Sequence, residues 1–567
     1  MKHCGRRKTS QLENVFHGFV KSSGEVNDFT REQRGAMPQA TSQIGNSQSF
    51  RLSTVSIAIL VSLFNFGVCY FRSFVFPNIP QLPFGDAVGF LINGSRIVEG
   101  RLPYRDYFQF LSPGTEVTYA VLIRGFGARA WIPNLMIAGL AAATAMLMTF
   151  AAARLMRGTV VALPGLLLAG LVLPGSLDAT HHWFSTVAIM AAMLVLLGGD
   201  TFRHIALVGV LSGIAGWYTQ SKGATAAAGF MAYLILKGWR AGAPVHDRWL
   251  KCVILSGLAL AVFLAGNAYF IRTAGLNRWL YCLVVYPLRY YPSVDINNWH
   301  VYGDGFWAPG LGKTIPFLFV HATVPLVYAV CIVVIVRWSR SEPHPDWDKI
   351  ILLSLTGIAM FVAVAAAPGW KRLSTVSPPA MILLTWLLDR SGAVVARFRV
   401  GLGTAAVMLA LAAAVRGQTR WSAFLNLPVG KTAFTEAARY DEYRYALAHT
   451  ERGEFMFGPP PVLFALAVKN PAPIDNFVPF EYTRPEQVAE TVRALEKYEV
   501  PWLMLNPGMF TWPKSNPASD HLDPIRAYLT QHYHRRVAFQ TGDELWERTA
   551  GSARGFEWRR EASSVWR

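Results

Sequence analysis

Between Arg51 and Gln418 the chain is built from apolar runs about as long as a membrane is thick, and this limits its fold more than any motif does. The runs fall at residues 52–76, 131–155, 159–174, 183–198, 204–220, 223–238, 252–271, 315–336, 350–368, 373–388 and 399–415. A helix needs about 20 residues to cross the hydrocarbon core, so several runs are short. Taken as a set they still predict a polytopic α-helical membrane protein with about 11 transmembrane helices. Composition agrees: 52% of residues are hydrophobic and 16% charged, against roughly 25% charged in soluble domains. An ordinary soluble enzyme is excluded.

The balance of 53 Lys+Arg against 35 Asp+Glu gives a net charge of +18. Those cations gather at the ends of apolar runs rather than on one face. Cations in that position orient helices and meet anionic lipid, so no nucleic-acid partner is implied. With the polar first residues on the cytoplasmic side, the turns bearing Arg154, Arg203, Lys237, Arg337, Lys349 and Arg390 all fall inside. This holds only if Thr115–Phe126 is not a span. At about 1.5 Å per residue that segment is too short to cross about 30 Å, and it reads as an interfacial helix.

This organisation predicts a disordered cytoplasmic tail over residues 1–51, a membrane domain over 52–417 and exterior loops at 77–130 and 272–314. An exterior α/β domain over 418–549 and a polar tail over 550–567 complete it. The first apolar run reads as an uncleaved signal-anchor, since nothing like a cleavable signal peptide precedes it. In the terminal domain, strands are expected at Glu454–Gly458, Pro501–Leu505 and within Arg536–Arg548. Helices are expected after Pro459, from Pro485 to Tyr498 and from Pro524 to His532. The five cysteines are scattered and show neither metal spacing nor a disulfide framework.

The first exterior loop carries Phe84-Gly85-Asp86-Ala87-Val88-Gly89, then Gly100-Arg101-Leu102-Pro103-Tyr104-Arg105-Asp106-Tyr107-Phe108, then Ser112-Pro113-Gly114-Thr115. Later come Gln220-Ser221-Lys222-Gly223, and Gly369-Trp370-Lys371-Arg372 followed by Pro378-Pro379. In this order the segments resemble the C-type glycosyltransferases of the aminoarabinose-transferase and protein-mannosyltransferase kind, with Ser112 replacing the usual first proline. The resemblance covers roughly residues 52 to 549. It implies a membrane glycosyltransferase that moves a sugar from a polyprenyl-phosphate donor to a lipid, glycan or protein acceptor on the periplasmic face of the bacterial inner membrane.

The chemistry of such a transfer fits the residues. A carboxylate must accept the acceptor's proton, and cations or a metal must stabilise the phosphate that leaves. Asp86, just outside the first span, is the candidate general base, with inversion at the sugar; the alternative is that it caps the helix that follows. Asp106 is a second catalytic candidate that could equally pair with Arg101 or Arg105. Arg105, Lys222, Lys371 and Arg372 are candidates for the donor phosphate, against ordinary snorkelling at a membrane surface. Tyr290, Tyr291 and His300 belong to an aromatic loop, with Tyr286, Trp299 and Trp307, that could cover substrate. A divalent metal would draw on Asp86, Asp106, His181 or His182, although adjacent histidines do not share a helix face. Asn93-Gly94-Ser95 matches a glycosylation acceptor. Two competing readings remain: a transporter or flippase of lipid-linked sugar, and an assembly subunit without chemistry. Transporters place charges within spans, whereas here the charges sit at exterior turns.

Overall fold

The computed structural model describes residues 43–294, 297–303, 311–338, 346–391, 393–508 and 520–549. The expected tail lies outside the described residues up to 42, as do Trp307 and the segment 550–567.

Helices occupy every one of the predicted apolar runs. They are α1 (Gln43–Ser73), α4 (Trp131–Ala152), the irregular α5 (Gly158–Gly175), α6 (His181–Gly198), α7 (Phe202–Tyr218), α8 (Gln220–Arg240), α9 (Val245–Ala274), α10 (Thr314–Arg337), α11 (Trp347–Val364), the pair α12 (Trp370–Val376) and α13 (Pro378–Arg390), and α14 (Ala393–Thr419). Among the described residues, eight are long and apolar enough to cross a membrane: α1, α4, α5, α6, α9, α10, α11 and the Arg397–Thr419 part of α14. The chain is a multi-pass membrane protein. Two boundaries differ from the sequence reading. Helix α1 starts at Gln43, inside the expected tail; the stretch from Gln43 to the apolar run holds Gly45 but no proline. Helix α5 passes from 3-10 to α to π and back to 3-10, since Pro164 and Pro174 each remove a backbone donor.

Helix α1 packs along α4, α6 along α7, and α8 along α11. The α7–α9 contact depends on small residues: a Cβ at Gly209 would lie 2.7 Å from the Leu255 carbonyl oxygen, and one at Gly213 would lie 2.6 Å from that of Ala259. At one end of the bundle the basic turns meet. Lys349 donates to the Arg154 carbonyl at 2.6 Å and to Asp346 at 2.8 Å, and Arg390 reaches Asp346 at 3.3 Å.

At the other end lie α2 (Asp86–Val98) and α3 (Gly114–Phe126), which pack on each other. Helix α3 has 13 residues, too few to cross the hydrocarbon core. After α14 come a hairpin of β3 (Ala423–Leu427) and β4 (Gly430–Phe434), α15 (Ala437–His449), β5 (Met456–Phe457), α16 (Pro460–Leu466), α17 (Pro485–Lys497), β6 (Trp502–Leu505), α18 (Asp523–His532), β7 (Tyr533–Ala538) and β8 (Glu544–Arg548). Two short strands, β1 (Phe74–Val75) and β2 (Ile79–Pro80), follow α1. The sheet order is β5-β6-β8-β7, with β5 and β6 parallel and the other pairs antiparallel. The hairpin and α15 are not anticipated from sequence. The hairpin binds the first loop directly: the Leu82 N–H donates to the Ala433 carbonyl at 3.0 Å, and the Ala130 N–H to that of Val429 at 3.2 Å. Val88, Leu91, Tyr119 and Ile123 of the loop share one core with Phe434, Val462, Leu463, Met504 and Leu545.

Candidate active site

Where α2, α6, α12 and the segment 473–487 converge, a cavity of 1460 Å³ opens. Asp86, Asp178, His181, His182, Tyr291, Lys371, Arg372 and Tyr482 line its polar end. Its apolar end runs between α7, α8 and α9, past Gly216, Ala227 and Phe263.

Asp86 is the first residue of α2, and its side chain does not cap that helix. The cap comes from Asp178, 92 residues later in the chain: its carboxylate accepts the Asp86 N–H at 3.1 Å and the Ala87 N–H at 3.0 Å. Gly85 makes this approach feasible. Its φ is 95°, and a Cβ there would lie 2.5 Å from the Asp178 Oδ2. With Asp178 satisfying the helix end, the Asp86 carboxylate is left exposed to the cavity, and no hydrogen bond or ion pair from the described residues engages it. Burial pushes the Asp178 carboxyl above its ordinary value, against the pull of Lys371, whose ammonium lies 3.3 Å away; Asp86 adds to the rise.

Arg372 is half-buried on α12. It donates to the Ala367 carbonyl at 3.0 Å and to the Tyr291 hydroxyl, and its guanidinium carbon lies 5.6 Å from the centroid of the Tyr291 ring. Burial raises the Tyr291 phenol, Arg372 opposes the rise, and the Asp86 charge adds to it. The Tyr482 ring is 5.9 Å from that of Tyr291. A free carboxylate and two cations thus face one space. Such a set can accept a proton at one point and hold an anion at another.

The other sequence candidates lie elsewhere. Arg105 and Asp106 do not line the cavity. The Asp106 carboxylate accepts the Leu102 N–H at 2.7 Å and pairs with Arg105, also at 2.7 Å. Partial burial would raise its pKa, but these hydrogen bonds hold it below the usual carboxylate range. The turn consumes both side chains. Lys222 is fully buried behind the wall and does not line the cavity. Tyr290 stacks under Arg484, 4.1 Å from its guanidinium carbon, and His300 is exposed in a 3-10 turn. Of the aromatic loop, Tyr286 and Tyr291 line the cavity. His181 and His182 also line it, their ring centroids 3.9 Å apart and their planes tilted by 37°. Among the described residues no three His, Cys, Asp or Glu side chains converge as metal ligands, and Asp106 does not line the cavity that Asp86, His181 and His182 share. Asn93 is buried and bonded to Glu116 and Arg96, so it is not displayed as a glycosylation acceptor.

One charged group escaped the sequence reading. Glu116 is fully buried, and its carboxylate accepts from Asn93 at 2.7 Å, from Tyr107 at 3.2 Å and from Gln109. Burial pushes its pKa up to about 7 against those hydrogen bonds. Beside it, Arg96 forms a buried pair with Asp475 of the 473–487 segment, and the Phe108 N–H donates to the Pro473 carbonyl at 2.9 Å. Its signal was a lone carboxylate in an apolar helix, which also reads as a favourable acid in a first turn.

The bundle of spans, the capped α2, the short α3 and the sheet domain beside the cavity make up a fold found in known proteins. Two solved structures share it. ArnT from Cupriavidus metallidurans, bound to undecaprenyl phosphate, is 13% identical over 90% of this chain and 100% of its own, with a TM-score of 0.54. The archaeal oligosaccharyltransferase AglB from Archaeoglobus fulgidus, in complex with an inhibitory peptide and a dolichol-phosphate, is 12% identical over 88% of this chain and 74% of its own, with a TM-score of 0.52. No family model and no curated protein matches the chain.

Proposed function

We propose that the chain transfers a sugar from a polyprenyl-phosphate carrier to a hydroxyl-bearing acceptor at the exterior face of a bacterial inner membrane. Asp86 is the general base. The carrying observation is that the unpartnered Asp86 carboxylate shares one cavity with Arg372 and Lys371, and that this cavity continues as an apolar groove between α7, α8 and α9. The groove suits a lipid tail and the polar end suits its phosphate head. Asp86 takes the acceptor's O–H proton and the freed oxygen attacks the anomeric carbon. The bond from that carbon to the phosphate oxygen breaks, and the polyprenyl phosphate leaves with the electron pair onto Arg372 and Lys371. Attack and departure on opposite faces invert the anomeric centre. Tyr291 orients Arg372 and, with Tyr482, walls the sugar site.

A lipid and glycan profile of cells lacking the protein, restored with wild type or Asp86→Asn, tests this. A missing sugar that only wild type restores, with build-up of the lipid-linked donor, is the expected result. Full restoration by Asp86→Asn would remove the general base and favour transport of the lipid-linked sugar without transfer.

A further inference from the structure

Lys222, a sequence candidate for the donor phosphate, is fully buried behind the cavity wall. Its ammonium has three N–H donors, and three oxygens take them: the His182 carbonyl at 3.1 Å, Thr186 Oγ1 at 3.3 Å and Thr375 Oγ1 at 2.6 Å. All three acceptors are neutral, and no carboxylate among the described residues pairs with it. An ammonium buried in this way costs free energy that an apolar side chain of similar length would not. Packing therefore does not explain the residue.

Its acceptors identify what it holds. His182 and Thr186 belong to the first turns of α6, which bring His181 and His182 to the cavity wall. Thr375 belongs to α12, three residues after Arg372, and its hydroxyl donates to the Arg372 carbonyl at 2.7 Å. Thr186 closes the ring by donating to the Thr375 carbonyl, also at 2.7 Å. We propose that Lys222 is a positioning residue: it locks α12 against α6 and thereby sets where Arg372 and Lys371 present their charges. This inference rests on the proposed role of those two cations toward a lipid phosphate, and it gives Lys222 no contact with that phosphate. The lock is short and specific. One hydroxyl, that of Thr375, connects the buried charge to the backbone of the residue whose guanidinium faces the cavity.

Binding of undecaprenyl phosphate to the full chain in detergent tests this with four variants: Lys222→Met, Thr375→Val, Arg372→Ala and the double variant Lys222→Met/Arg372→Ala. Lys222→Met and Thr375→Val are each expected to weaken binding about tenfold, as coupling within one hydrogen-bond network would. In the Arg372→Ala background, Lys222→Met should cost less than it does alone, because only Lys371 is left for the lock to position. Thr375→Val keeps the volume and the buried lysine, so it reports on the lock even if Lys222→Met folds poorly. Wild-type affinity in Thr375→Val, or losses that multiply in the double variant, would overturn the positioning role and leave the proposed function standing. Failure of the wild-type protein to bind the lipid phosphate would overturn the proposed function and this inference with it.

Discussion

Two short turns at the same end of the molecule carry the same kinds of side chain and meet opposite fates. In the turn 100–108, Arg105 and Asp106 pair with each other and Asp106 accepts a backbone N–H, so no charge remains for a ligand. Around α2 and α12, Asp86 and Arg372 point into a cavity because other residues meet the local demands. Asp178 caps the helix that Asp86 would otherwise cap, and Lys222 and Thr375 hold the short helix that presents Arg372. The lesson is that a charged side chain becomes available for chemistry when a distant residue relieves it of local structural work.

Breaking the cavity side should give the largest effects. Asp86→Asn is expected to lower transfer by roughly 10²–10⁴-fold with expression unchanged, the usual loss on removing a general base. Arg372→Ala should weaken apparent donor affinity by about 10- to 100-fold, the loss of a charge-assisted contact; an unchanged donor KM would remove it from the phosphate site. Glu116 gives an intermediate effect through pH. Its folded pKa near 7 lies above its ordinary value, so the folded chain holds a proton there that the unfolded chain has lost. Stability therefore falls as pH rises from about 4.5 to about 7 and is flat above, a penalty on the order of 3 kcal/mol. Glu116→Gln should flatten that slope in a melting series from pH 5 to pH 8. The smallest change is expected on the other side of the comparison: Asp106→Asn should cost about 1 kcal/mol of stability and leave transfer within a few-fold of wild type. A loss as large as that of Asp86→Asn would collapse the distinction between the two turns.

The fold was legible because membrane crossing imposes a composition and a length that survive any detail of packing. The apolar runs, the short α3 and the strands from β5 onward could be read from period and punctuation alone. The irregular passage through α5 and the β3–β4 hairpin were less visible. The first follows from two prolines in one run, and the second from strands whose partners include the first exterior loop. Of the site candidates picked from order and charge type, Asp86, Lys371 and Arg372 line the cavity. The duties of Asp178 and Lys222 were not legible, because each acts on a residue far away in sequence. Glu116 was hidden by its helix, where one acid among apolar residues looks like a dipole effect rather than a buried network.

The core that joins Val88 to Leu545 also bears on how the protein is made. The segment 77–130 is made early, and α2 and α3 can pack on each other at once, yet the rest of their shared core comes only with the last strands. Throughout the insertion of the intervening helices that loop must wait with its core unfinished, at the very place where the catalytic carboxylate is proposed to stand. A nascent chain therefore carries its spans before this shared core is closed, and Leu545 of β8 is among the last residues to join it.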